Sequence, residues 1–104
     1  ARLSLDDHLI EHREATFFVR VQGHSMTGFG IHHGDLLVVD RVLDPADRSI
    51  VIAVVDGEFT VKQLCMLPHG MLLRSGAPGH GDILVTPDRE FVVWGVVRWS
   101  IHRV

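Results

Sequence analysis

Short runs of apolar and β-branched residues recur along this chain, and glycine- or proline-containing turns separate them. Some runs alternate apolar with polar residues, as strands with one buried face do, and others are continuously apolar, as fully buried strands are. The pattern predicts strands at 17–21, 36–39, 50–55, 58–64, 71–74, 83–86 and 91–97. Since no helical period is sustained anywhere, the sequence predicts a mainly β domain.

The strongest local signal is a hairpin in the middle of the chain. Asp56-Gly57 stands between two long apolar arms, and Asp-Gly is a preferred two-residue turn between antiparallel strands. Earlier in the chain, Asp44-Pro45-Ala46-Asp47 predicts either a single helical turn or a tight turn. Gly95, inside the last apolar run, predicts a bulge or a bend in that strand.

The first fourteen residues differ from the rest in composition. They are charged and mixed, with Leu9 and Ile10 as a small apolar pair, and their helical periodicity is poor. We expect residues 1–14 to form an arm, either extended or with one helical turn. The arm should pack onto a single domain of residues 15–104, which is close to the commonest domain size.

Composition narrows the classes of function. Ten basic and thirteen acidic residues give a net charge of -3, so the chain lacks the positive field that a nucleic acid backbone requires, and direct DNA binding is not expected. A hydrophobic fraction of 46% is high for 104 residues and predicts that a second copy covers apolar surface, as in a homodimer. The single Cys65 is typical of a reducing compartment such as the cytoplasm, and no apolar run is long enough to span a membrane.

Two stretches carry the candidate chemistry, Gly23-His24-Ser25-Met26 and Phe59-Thr60-Val61-Lys62. A serine hydroxyl is a weak nucleophile near neutral pH and needs a base, yet no Asp or Glu lies within nine residues of Ser25. A lysine that burial keeps neutral is a suitable base, and strand alternation places Lys62 and Thr60 on one face. Taken alone, each residue has a commoner interpretation, an ordinary serine after a glycine and a solvated lysine on a sheet edge.

Eight histidines raise the question of a metal site. His32 and His33 are adjacent, so they cannot easily face one ion, and no Cys or carboxylate stands at ligand spacing with them. The sequence therefore predicts no metal site and no cofactor. His24 is the neighbour of Ser25, but adjacent strand residues point to opposite faces, so we expect its backbone amide to matter more than its imidazole.

These two stretches resemble the UmuD and MucA group of mutagenesis proteins, within the LexA-like serine peptidases of family S24. The resemblance runs almost end to end and is sharpest at Asp56-Gly57-Glu58-Phe59-Thr60-Val61-Lys62; only the loop at 74–79 departs from the family pattern. It implies a LexA/UmuD peptidase-like fold of short, strongly bent antiparallel strands with one or two short helical turns. It also implies that Ser25 is the nucleophile, Lys62 its general base, the amides of His24 and Ser25 an oxyanion hole, and Met26 a packing residue of the site.

The resemblance further implies a role in SOS mutagenesis. In this group a RecA filament on single-stranded DNA stimulates a precursor to cut itself, and the product joins a UmuC-like Y-family polymerase for translesion synthesis. The family's cleaved bond joins Cys or Ala to Gly, and because the chain contains no such pair, we expect it to be the processed form, which acts mainly by binding. Two alternatives remain: the self-cleaving, dimerising C-terminal half of a LexA-like or phage repressor, and a signal peptidase, which would need a membrane anchor.

Overall fold

The structure is a computed structural model that describes residues 4–77 and 81–104. Within these ranges seven strands form one antiparallel sheet, accompanied by a short α-helix and two 3₁₀ turns. The strands are β1 (Thr16–Arg20), β2 (Leu36–Asp40), β3 (Ile50–Val55), β4 (Glu58–Leu67), β5 (Gly70–Arg74), β6 (Ile83–Val85) and β7 (Phe91–Ile101). The helix is α1 (Leu5–Leu9), and the 3₁₀ turns are Arg13–Ala15 and Thr27–Phe29. The predicted mainly β fold is confirmed, although β4 and β7 are longer than predicted.

The strand order in the sheet is β1-β2-β7-β3-β4-β5-β6, so the last strand lies between β2 and β3. The register between β3 and β7 shifts by one residue, because Ile52 pairs with Gly95 while Ala53 pairs with Val93. This is the bulge that Gly95 predicted. A side chain has no room there, since an added Cβ would lie 2.6 Å from a methyl carbon of Val39.

The central hairpin has the predicted turn. Asp56 and Gly57 both have positive φ angles, 49° and 83°, which is the backbone of a type I′ turn. Val55 pairs with Glu58 directly beside it, so the turn fixes the register of β3 against β4. The turn predicted at 44–47 lies slightly later: residues 44–46 have no regular structure, and a tight turn spans 46–49, where the amide of Ser49 donates to the carbonyl of Ala46 over 3.1 Å.

Two hydrophobic clusters lie on opposite faces of β3, because successive strand residues point to opposite sides of a sheet. Ile52 belongs to the first cluster, together with residues that surround the segment after β1. Its neighbours Val51 and Ala53 belong to the second cluster, which β4 and β5 complete. The buried members of the first cluster are Val21, Met26, Ile31, Leu37, Val39 and Ile52, and those of the second are Val51, Ala53, Val55, Leu64 and Leu73.

The N-terminal segment contains α1, so the structure adopts the helical one of the two predicted forms. Polar contacts attach this segment to the sheet: His12 Nδ1 lies 2.6 Å from Asp40 Oδ2, and Glu11 Oε2 lies 3.2 Å from Arg98 Nη1. The boundary predicted between residues 14 and 15 stays a prediction. Across 4–77 and 81–104, no helix has the length and apolar character needed to cross a membrane.

Candidate active site

The segment after β1 presents Ser25 at the surface. Gly23 has a φ of 89°, which glycine adopts readily and other residues rarely do. Its amide donates a hydrogen bond to Nδ1 of His33 over 2.9 Å. Ser25 is exposed, whereas Met26 is only 2% exposed and packs in the first cluster. The buried methionine therefore anchors a short backbone segment whose serine side chain faces solvent.

His24 contributes its backbone rather than its ring to the geometry around Ser25. Its carbonyl accepts hydrogen bonds from the amide and the hydroxyl of Thr27, over 3.3 and 3.1 Å, and its imidazole lies beside that of His33, with 5.5 Å between ring centroids. Among the described residues, the amides of His24 and Ser25 have no hydrogen-bond acceptor. Two adjacent free N–H groups are the donors that an oxyanion requires.

Lys62 lies in the middle of β4, opposite Val51 of β3, and only 7% of it is exposed. Its ammonium group donates to Oγ1 of Thr60 over 2.7 Å and to the carbonyl of Val61 over 3.3 Å. Burial lowers the pKa of this amine below its usual 10.5, and the carboxylate of Asp82 opposes the shift only in part. The site therefore favours the neutral form of the lysine more than solvent does.

Ser25 lies at a cleft of about 420 Å³ whose lining includes Thr60 but, among the described residues, not Lys62. Ser25 and Thr60 both line this cleft, and Thr60 Oγ1 accepts the hydrogen bond from the amine of Lys62. Within the described part of the chain, no hydrogen bond joins Ser25 Oγ to Lys62 Nζ. Thr60 thus connects the two predicted residues, since it lines the cleft with Ser25 and binds the amine of Lys62; the Ser25/Lys62 dyad stays a prediction. The rest of the lining is mostly apolar and comes from Val19, Arg20, Val21, Gln22, Gly23, Met26, Leu37, Ile52, Phe59, Val61 and Trp94.

The structure adds two residues that sequence reasoning missed. Ser75, directly after β5, donates its hydroxyl to the carbonyl of Ser25 over 2.9 Å. The amide of Ser75 in turn donates to Oδ1 of Asp82 over 2.8 Å. In the sequence, Ser75 was marked only by its place in the loop at 74–79 that departs from the family pattern, and Asp82 lies outside that loop. Part of the loop predicted at 75–81 lies outside the described residues.

Four histidines of the described ranges lie in two pairs, His24 with His33 and His32 with His102. His32 and His102 lie with 5.1 Å between ring centroids, and His102 Nδ1 is 2.7 Å from Oδ1 of Asp35. Over the two described ranges, no set of three or more His, Cys, Asp or Glu residues is arranged to hold a metal ion.

Comparison with known proteins supplies the family. The chain matches the Peptidase S24-like family model over residues 1–98. It is 43% identical to protein MucA of Salmonella typhimurium over 103 residues, which covers 95% of this chain and 68% of MucA. Protein ImpA of Shigella flexneri is 42% identical over 102 residues, with 97% of this chain and 68% of ImpA covered.

A repressor is also related, at a lower identity. LexA repressor 2 of Pseudomonas syringae pv. tomato is 37% identical over 91 residues, which covers 88% of this chain but only 45% of the repressor. The family match spans most of the chain, and the higher identities are to the MucA and ImpA proteins. The chain therefore belongs to the Peptidase S24-like family, in the UmuD-like group with MucA and ImpA.

Proposed function

We propose that this protein is a UmuD′-like subunit of an error-prone translesion DNA polymerase in SOS mutagenesis, cut from a precursor that cleaves itself with a Ser25/Lys62 dyad. The observation that carries the proposal is the buried amine of Lys62, with a lowered pKa, which is bound to Thr60, a residue that lines the same cleft as the exposed Ser25. An S24 peptidase needs a serine and a base, and we assign these two roles to Ser25 and Lys62.

The chemistry follows from the two side chains. Neutral Lys62 takes the proton of the Ser25 hydroxyl as Oγ attacks the peptide carbonyl, and the amides of His24 and Ser25 bind the negative oxygen. The lysine ammonium then gives its proton to the departing amine, which leaves an ester on Ser25. Water then hydrolyses the ester: Lys62 accepts a proton from the attacking water and gives it to the departing Ser25 oxygen, so the serine hydroxyl and the neutral lysine are regenerated.

A rearrangement of the Lys62 amine precedes this chemistry. The amine of Lys62 is bound to Thr60 Oγ1, and it must exchange that hydroxyl for the hydroxyl of Ser25. A partner that favours the state with the amine at Ser25 would activate cleavage, as the proposed RecA filament does for the precursor. Because the cleft has mainly apolar walls, an extended apolar peptide segment is the occupant that suits it.

The processed protein acts by binding, as a homodimer in the cytoplasm. Exposed apolar side chains support the dimer: Phe18 on β1, with Trp99 and Ile101 on β7, are 55%, 40% and 43% exposed. Phe18 pairs with Val38, which pairs with Trp99, so two of these side chains lie in one row across the sheet. The row continues to α1, where His8 lies 5.6 Å from Trp99 between ring centroids. We place the dimer interface on this closing strand and the N-terminal segment.

Sedimentation of the chain with and without a purified UmuC-like polymerase tests the subunit role. Alone, the chain should sediment as a dimer at tens of micromolar, and the polymerase should shift it into a faster complex. Phe18→Ser with Trp99→Ser should give a monomer, whereas Val92→Ser, at a more exposed apolar position elsewhere on β7, should leave the dimer intact. A parent protein that sediments as a dimer but does not bind the polymerase would favour the repressor alternative. A parent protein that sediments as a monomer would contradict the proposed interface.

A further inference from the structure

The loop after β5 is fixed to the nucleophile segment by several contacts. Ser75 is only 7% exposed. Its hydroxyl donates a hydrogen bond to the carbonyl of Ser25 and accepts one from the amide of Ala77 over 3.2 Å. The amide of Gly28 donates to the carbonyl of Gly76 over 3.1 Å. The loop therefore binds the nucleophile segment on both sides of Met26.

The two backbones approach closely enough to exclude a side chain. A Cβ added to Gly76 would lie 2.7 Å from the Cα of Met26 and 3.0 Å from the carbonyl oxygen of Ser25. Since backbone atoms cannot give way as a flexible side chain does, the loop and the nucleophile segment must hold one relative position. Ser75 is the side chain that joins them by a hydrogen bond.

Asp82 connects this loop to the base. One oxygen of its exposed carboxylate accepts a hydrogen bond from the amide of Ser75. Ser75 follows Arg74, which pairs with Gln63, so the register of β4 and β5 brings Ser75 and the carboxylate bound to it beside Lys62. β3 brings no ionisable side chain to Lys62, and on β4 Glu58 shares its face but lies at the far, exposed end of the strand. Arg74 of β5 pairs with Gln63, whose side chain points to the opposite face. Among the described residues, the negative charge of Asp82 is therefore the one that raises the pKa of the Lys62 amine, against the effect of burial.

We propose that Ser75 and Asp82 are positioning residues of the cleavage site: Ser75 holds the backbone of Ser25 in place, and Asp82 holds Ser75 while placing a negative charge near the amine of Lys62. The inference rests on the proposed function, because it assigns both residues a role toward the dyad. It goes beyond that function because it says what sets the protonation of Lys62. A nearby carboxylate stabilises the protonated lysine and so reduces the fraction of Lys62 that can accept a proton at neutral pH.

The test follows the reaction of Ser25 with a fluorophosphonate between pH 6 and 10, measured by mass spectrometry. In this reaction the serine oxygen bonds to phosphorus, fluoride leaves, and Lys62 takes the hydroxyl proton. Asp82→Asn keeps an oxygen that can accept the amide of Ser75 but removes the charge. It should move the midpoint of the pH profile to lower pH and raise the rate at pH 7 roughly threefold, as expected for the loss of one solvent-exposed partner charge. Asp44→Asn, which removes another exposed carboxylate, is the control and should leave the profile unchanged.

Ser75→Ala separates the two roles. It removes the hydrogen bond to Ser25 and leaves the charge of Asp82 in place, so the rate should fall about tenfold at every pH with an unchanged midpoint. Asp82→Ala removes both the acceptor and the charge, and it should combine a lower midpoint with a lower plateau. Circular dichroism verifies that each variant is folded, and the Asp82→Asn profile decides the charge effect even if Ser75→Ala unfolds.

A second measurement separates failure of this inference from failure of the proposed function. The titration of the Lys62 side chain, followed by NMR of its Cε carbon, does not need a reactive serine. Asp82→Asn should lower the titration midpoint and Asp44→Asn should not. Unchanged midpoints in both assays would overturn the role of Asp82, and a parent rate in Ser75→Ala would overturn that of Ser75. No labelling of Ser25 at any pH would instead contradict the dyad.

Discussion

Lys62→Ala should slow the reaction of Ser25 with a fluorophosphonate by at least about a hundredfold at pH 8, because a positioned general base contributes roughly two to four orders of magnitude. The parent protein should show a rate that rises about tenfold per pH unit while most of the lysine is protonated, and then reaches a plateau. Burial lowers the pKa of Lys62, so the plateau should begin below the ordinary lysine value of 10.5. In the alanine variant, both the slope and the plateau should disappear.

Three further variants define the base. Ser25→Ala should give no label at this position, and Lys62→Arg should be as slow as Lys62→Ala, since a guanidinium stays protonated throughout this pH range. His24→Ala should retain most of the reactivity, because only the backbone amide of His24 is assigned a role. A Lys62→Ala protein that reacts at the parent rate at alkaline pH would remove Lys62 from the mechanism and leave His24 as the next residue to examine.

The same variants apply to a precursor that carries the upstream Cys-Gly or Ala-Gly bond. It should cleave itself faster as the pH rises from 7 towards 10 without any filament, because more of Lys62 is then neutral. An activating filament should shift the plateau to lower pH more than it raises the maximum rate, since it favours the state in which the amine is desolvated. A filament that raises only the maximum would mean that activation acts on substrate placement instead of on the lysine.

The strands were predictable because their signals are local. Period-two alternation, the Asp56-Gly57 turn and the glycine at the bulge each act over a few residues, and nothing elsewhere in the chain overrides them. The ends of β4 and β7 were not predicted, since Met66 and Trp99 continue their strands only because a neighbouring strand pairs with them. Tertiary pairing of this kind leaves no local trace.

The site was predictable only in part, for the same physical reason. Ser25 and Lys62 stand in patterned segments and resemble a known motif, whereas Ser75 and Asp82 stand in a loop without a period. The bond between Ser75 and Ser25 joins residues fifty positions apart, so only the folded sheet brings them together. Asp35 is a second example, because this charged residue just before β2 is buried and bound to His102 at the opposite end of the chain.

Asp35→Asn is expected to have the largest effect on stability of any single charge removal away from the cleft. Its carboxylate is 1% exposed and accepts three hydrogen bonds: from the amide of His32 over 2.8 Å, the hydroxyl of Ser100 over 3.0 Å and Nδ1 of His102 over 2.7 Å. An asparagine amide replaces one accepting oxygen by a donor, which then faces a donor. We expect the melting temperature at pH 7 to fall by roughly 10 °C, whereas Asp44→Asn, at an exposed position, should change it by no more than about 2 °C.

The pH dependence of this difference tests whether the charge itself stabilises the fold. The hydrogen bond from the His32 amide, opposed by burial and reinforced by His102 and Ser100, lowers the pKa of Asp35 from 3.8 to about 2. A carboxyl group whose pKa is lower in the folded state contributes stability above its unfolded value and loses it as the pH falls through the folded value. The melting temperatures of the parent and of Asp35→Asn should therefore differ by a constant amount above pH 5 and converge between pH 4 and pH 2. A difference that stays constant down to pH 2 would mean that Asp35 stabilises the turn by its shape and hydrogen bonds, with no contribution from its charge.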